Sequence, residues 1–194
     1  MSSLETSAAK SDSKPVSSIL FRTIAGLIDC ILIAIIDSAL MYAFWVIGMA
    51  SGLLDARPEH WAQLLYTIPL FLLDGLSGIA APIAMVYLNL AGAFPEKTLN
   101  LANAFFLCIM VVNWLYHAEF ESSNTRGTPG KLAMDLAVVN ARNGGPIGFA
   151  SASFRHFAKF LSSAILFIGY LPIFGRDKRS LHDLISNCAV SSES

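Results

Sequence analysis

Apolar residues in this chain come in long unbroken windows rather than in the short periodic stripes of a water-soluble fold. From Ile19 to about Ala50 the only charged side chains are Arg22, Asp29 and Asp37. Thr98 to Ala118 holds none, nor does Phe160 to Gly175, and from Trp61 to Pro95 Asp74 stands alone. A helix needs roughly 20 mainly apolar residues to cross a bilayer, and several of these windows qualify. The pattern predicts an all-α, polytopic transmembrane protein with a short strand and turn region on its cytoplasmic side.

Residues 1–18 are rich in serine, carry Glu5, Lys10, Asp12 and Lys14, and have too few bulky apolar side chains to bury a core. They read as a flexible cytoplasmic tail. The apolar stretch after them is far too long for a signal-peptide core, so helix one is expected to stay as an uncleaved anchor. Trp45 lies about 34 Å of helical rise beyond Arg22, which puts an arginine at one membrane interface and a tryptophan at the other. The stretch 61–94 is long for one span and is interrupted by Asp74, Gly75, Gly78 and Pro82, so it reads as one tilted helix or as a broken hairpin. Thr98 to Ala118 is a clean span closed by Trp114, Tyr116 and His117. The polar stretch 119–152 is expected to be a cytoplasmic loop. Within it Thr128-Pro129-Gly130 is turn chemistry, Leu136 to Asn140 a short strand, and Asn143-Gly144-Gly145 a tight turn. Ser151 or Ser153 is placed to cap the next helix.

Composition excludes several classes. The 194 residues are 55% hydrophobic and only 14% charged, with a net charge of -1, which removes a disordered chain and a nucleic-acid binder. The bilayer is the expected partner. Cys30, Cys108 and Cys188 are scattered, form no C-x-x-C pair and read as small buried side chains, so no metal or redox site is expected. The basic residues orient the chain. If 61–94 crosses an even number of times and 153–175 returns to its own side, eleven Lys and Arg face the cytoplasm, with Arg57 and Lys97 outside. Both termini are then cytoplasmic in a multi-pass protein of the cell membrane. A single crossing at 61–94 leaves seven inside and six outside. The even arrangement needs a bend near Pro172.

Arg22, Asp29 and Asp37 are seven and eight residues apart and share an arc of roughly 80° on helix one. Each aspartate near the bilayer centre costs about 2.5–3.5 kcal/mol, so both must face protein or water. An ion or proton pathway and a packing seam account for them equally well, and Asp74 invites the same two readings. Asn113, His117 and Glu121 recur every four residues and make a second stripe. Gly127-Thr128-Pro129-Gly130-Lys131 has a phosphate-loop look, but Thr125 and Leu132 break the Walker pattern and no hydroxyl follows the lysine. His117-Ala118-Glu119 lacks the cysteine half of a zinc-deaminase motif. Ser180, His182 and Asp183 are too close in sequence to form a triad among themselves. No catalytic constellation emerges, so neither an enzyme nor a cofactor is expected.

Three features together resemble the RDD family of small prokaryotic membrane proteins. They are Arg22-x-x-Ala25-x-x-Ile28-Asp29, then Gly127-Thr128-Pro129-Gly130-Lys131 with Val138-Val139 downstream, then Leu181-His182-Asp183-Leu184-Ile185 followed by Val190. The resemblance implies a membrane domain over 19–190, with 55–98 an insertion and 191–194 a tail. It maps the family's arginine and two aspartates onto Arg22, Asp29 and Asp183. Asp135 and Asn187 stand where the family usually has glycine. Transport of an ion or small ligand along the helix-one seam is the function implied. The alternative is a non-catalytic accessory or assembly subunit that packs against a larger membrane partner or a second copy. A buried Arg22 is expected to find its carboxylate on another segment, at Asp183, because Asp29 lies about 10 Å away along the axis.

Overall fold

The computed structural model describes residues 18–53, 80–91, 96–164 and 179–192. Asp74, the bend expected near Pro172 and residues 61–79 of the expected helix or hairpin lie outside the described residues. The described chain is mostly helical with one small antiparallel sheet.

Helix α1 runs Ile19–Ala50, as the apolar window predicts. It stops where Gly52 turns left-handed at φ +71°, and the amides of Gly52 and Leu53 then reach back to the carbonyls of Met49 and Gly48. Helix α2 runs Ala80–Ala91. Pro82, expected to interrupt an apolar segment, instead sits in its first turn, where a missing amide costs nothing. Helix α3, Glu96–Ser122, opens with an acid at its positive end. The Asp29 side chain meets Tyr116, while Phe44 stacks on Phe105 with ring centroids 4.7 Å apart, so α1 and α3 run antiparallel.

After α3 come the single turn α4 (Pro129–Leu132), the strand β1 (Leu136–Asn140) and helix α5 (Phe149–Ala164). The expected strand is present residue for residue. The helix expected to be capped at Ser151 or Ser153 already begins at Phe149. Helix α6 (Leu181–Ile185) is closed by a capping box between Ser180 and Asp183. Strand β2 (Cys188–Ser192) pairs antiparallel with β1, Val138 opposite Val190. Ser191 and Ser192 hold ladder positions opposite Ala137 and Leu136. Asp135 and Asn187 both have φ +53°. Asp and Asn are the non-glycine side chains that enter that left-handed region with least strain.

Three buried clusters result. Ala34, Ala81, Phe105, Phe106 and Ile109 join α1, α2 and α3. Ala118, Val138, Ile147, Ala152 and Cys188 join α3 to the sheet and α5. Ala25, Leu136 and Val190 lay the sheet against α1. Large apolar side chains point the other way: Leu27, Ile31, Ile35 and Ile47 of α1 and Leu107, Val111 and Leu115 of α3 are exposed, while Asp29, Asp37, Asn113, His117 and Glu121 are buried. Polar inside and apolar outside reverses the rule for a helix in water and marks a membrane protein. Both α1 and the Leu99–Ser122 part of α3 are long and apolar enough to cross a bilayer. Two expectations fail here. Trp45 is buried rather than standing out as an interfacial anchor, and Cys108 is exposed, although Cys30 and Cys188 are buried.

Candidate functional site

The polar residues gather where α1 begins and α3 ends. Asp29 is buried, and its carboxylate accepts hydrogen bonds from the Thr128 hydroxyl, the Gly130 amide at 2.8 Å and the Tyr116 hydroxyl at 2.9 Å. Thr128 occupies the N-cap of α4 but spends its hydroxyl on Asp29 rather than on its own helix. Gly130 is required by this approach. A Cβ there would collide with the Ala25 carbonyl and lie 2.8 Å from the Asp29 carboxyl. Gly127 is similarly confined, since its Cβ would sit 2.9 Å from the Leu136 carbonyl oxygen. The loop motif thus binds a carboxylate of its own chain where a phosphate loop would bind phosphate.

Arg22 and Asp183 stand 3.8 Å apart, as expected, and the Arg22 guanidinium also donates to the Val190 carbonyl at 2.8 Å. Arg22 is part-buried in this pairing. The centre of the site is a residue that sequence reasoning counted only as a positive charge. Arg155 donates to Asp183 Oδ1 at 2.8 Å and to Glu121 Oε2 at 2.6 Å, which ties α3, α5 and α6 together. Burial opposes the Arg155 charge, but Glu121 and Asp183 outweigh it and hold the guanidinium more firmly protonated than usual. Burial likewise pushes the Asp183 carboxyl up, and Arg155, His182 and Ser180 overcome it, keeping Asp183 well below the usual carboxylate range. Ser180 donates to Asp183 Oδ2 at 2.8 Å and contacts His182 Nε2 at 2.9 Å, so it serves the cap of α6.

Glu121, expected as the end of a stripe, is the second hub. Lys131 Nζ bonds its Oε1 at 2.5 Å, Lys159 lies 3.7 Å away and His117 Nδ1 3.9 Å away. Burial pushes the Lys159 amine down to about 7, against the opposing pull of Glu121. Asp37 is 0% exposed on the same face of α1, eight residues beyond Asp29. Asn113 is buried on α3, one helical turn beyond His117. Among the described residues, no group of three or more His, Cys, Asp or Glu side chains is placed to hold a metal ion.

The structure therefore brings together Arg22, Asp29, Asp183, His117, Thr128, Gly130 and Lys131, and leaves Asp37 and Asn113 deeper in the helix pair. It adds Tyr116, Glu121, Arg155, Lys159 and Ser180. A signal for Arg155 and Lys159 was present: they lie four apart on one face of α5 with Ala152 and Ala158, opposite Phe149, Phe154 and Phe157. Which of those two faces turns inward depends on the solvent.

Comparison with known proteins bears on the same residues. An uncharacterised protein of Bacillus subtilis (strain 168), YxaI, is 34% identical over 84 residues, 43% of this chain and 55% of the relative. The proline-rich antigen of Mycobacterium leprae (strain TN) is 25% identical over 148 residues, 74% of this chain and 58% of that protein. The chain spans a little over half the length of both curated relatives. No solved structure matches. The RDD family profile matches residues 16–187, which include Arg22, Asp29, the Gly127–Lys131 loop and Asp183, and the chain belongs to the RDD family.

Proposed function

We propose that the chain is a multi-pass protein of the cell membrane, with both termini cytoplasmic, that moves an ion or small ligand along a polar seam between α1 and α3. It is not an enzyme in this reading. The observation that carries it is the row of buried polar side chains, Asp37 on α1 with Asn113 and His117 on α3, walled from lipid by exposed Leu, Ile and Val. An anchor needs no aspartate at such depth, where each costs about 2.5–3.5 kcal/mol on insertion scales. The ion network beneath the seam closes its cytoplasmic end.

The geometry supports this topology. Helix α1 leaves the charged end and α3 returns to it, which fits an even number of crossings between them. Arg155 of α5 and Asp183 of α6 also meet at that end, on either side of the second apolar window. Eleven of the thirteen Lys and Arg then face the cytoplasm. Single cysteines at Ser123 and Asn143 should resist an impermeant external reagent, and strong labelling at either site overturns the orientation.

A second reading, a non-catalytic accessory or assembly subunit, draws support from Asp29. Its carboxylate already has three donors, which is what a packing residue needs and a transport residue does not. Proteoliposome flux separates the two. Wild-type protein should carry flux above empty liposomes under a pH or sodium gradient, and none across several cations from folded protein leaves only the accessory role.

A further inference from the structure

Among the described residues, cations outnumber acids at the charged end, where Arg179 also donates to the Asp183 carbonyl. Arg22, Lys131, Arg155 and Lys159 face Asp29, Glu121 and Asp183. An uncompensated charge at the edge of a membrane is costly, and the cheapest relief is to release a proton. Arginine does not do so. Lys131 bonds Glu121 directly. Lys159 differs from the other three. Its ion-pair distance to Glu121 is 3.7 Å, longer than those of Lys131 and Arg155, and its hydrogen-bond partner is a base, His117 Nδ1 at 3.3 Å.

We infer that Lys159 and His117, with His156 beside them, form a proton-binding site at the α3–α5 contact that takes up and releases one proton. The geometry serves both states. A charged Lys159 donates to the lone pair of His117 Nδ1. When the proton has left, the neutral amine accepts from an Nδ1–H in the other tautomer. The imidazole of His156 lies 5.3 Å from that of His117, centroid to centroid, and its Nδ1 is buried with no hydrogen-bond partner among the described residues. The groups that set the affinity are Glu121 and His117 on α3, Lys131 on α4, Arg155 and His156 on α5, His182 on α6 and, more weakly, Asp29 on α1. Burial and the neighbouring cations favour the neutral amine, while Glu121 and Asp29 favour the ammonium, and the balance falls near neutral pH.

Use of this proton to drive transport rests on the proposed function; the site itself does not. The test is a pH titration of the lysine side-chain 13Cε resonances of the full chain in a membrane mimetic, with Lys159→Arg to assign Lys159. One resonance should titrate around pH 7 and be missing from the Lys159→Arg spectrum. His117→Gln offers a second handle if Lys159→Arg folds poorly, and it should move that titration by on the order of one unit. All lysines titrating together overturns the site, as does a low titration indifferent to His117. A neutral-pH titration without flux keeps the site and removes transport. Flux without the titration does the reverse.

Discussion

The two ends of the α1–α3 pair are held by different physics. At one, Ala34, Ala81, Phe105, Phe106 and Ile109 pack with Leu40, Met41 and Phe44, and what counts is volume. At the other, Asp29, Glu121, Arg155 and Asp183 meet specific donors at fixed distances. Lipid tails are as apolar as leucine, so burying an apolar face against a second helix gains little over leaving it in lipid. A buried carboxylate has no such indifference. The apolar end should therefore tolerate change by degrees, and the charged end should fail as a unit.

Arg155→Met is the strongest way to break that contrast. It takes from Glu121 and Asp183 the guanidinium they share and should cost about 3–5 kcal/mol, seen as a collapse of folded yield in detergent. Gly130→Ala comes next. Its Cβ drives α4 off Asp29, for a loss of about 1–3 kcal/mol in a melting comparison. Ile109→Val at the apolar end should cost no more than about 0.5–1.5 kcal/mol, and a larger loss there than for Gly130→Ala removes the distinction between the ends.

The acid side of the pH profile sharpens the comparison. Burial pushes the His182 imidazole down to about 3 from 6.5. Between those values the unfolded chain binds a proton that the folded chain does not, so the His182 contribution to stability is fully present above about pH 6.5 and is lost as pH drops through the window. Asp183, also depressed, adds to the loss at lower pH. His182→Gln should make the fall in melting temperature between pH 7 and pH 4 shallower, with His117 and His156 keeping the remainder, whereas Ile109→Val should leave its slope unchanged. The smallest effect belongs to Asp135→Gly, which relieves a left-handed residue and should gain less than about 1 kcal/mol by thermal melting.

Much of the frame is legible in the linear chain. The ends of α1 follow from an apolar window closed by Ser51 and Gly52, and β1 from a short β-branched run between turn residues. The Arg22–Asp183 meeting follows because a buried guanidinium needs an acid and Asp29 is too far along its own helix. The partner strand β2 is not legible. Cys188–Ser192 is short, and its pairing is set by contact with β1 fifty residues away. The centrality of Arg155 is hidden for a related reason. One of its acids lies 34 residues before it and the other 28 after, and only the fold brings them to one guanidinium. That Asp29 is held by Thr128 and Gly130 was equally out of reach, because a loop that binds a carboxylate of its own chain looks like any other glycine-rich turn.

On the proposed transport function the two helix-one acids do different things: Asp29 holds the structure and Asp37 serves the moving ion or ligand. Flux per folded molecule for Asp29→Asn and Asp37→Asn, measured in one proteoliposome series beside wild type, tests it most directly. The account predicts that Asp37→Asn falls to the level of empty liposomes with its melting temperature kept. Asp29→Asn should lose stability while its folded fraction still conducts. Wild-type flux from Asp37→Asn, or equal loss of flux from both variants at unchanged stability, contradicts the account.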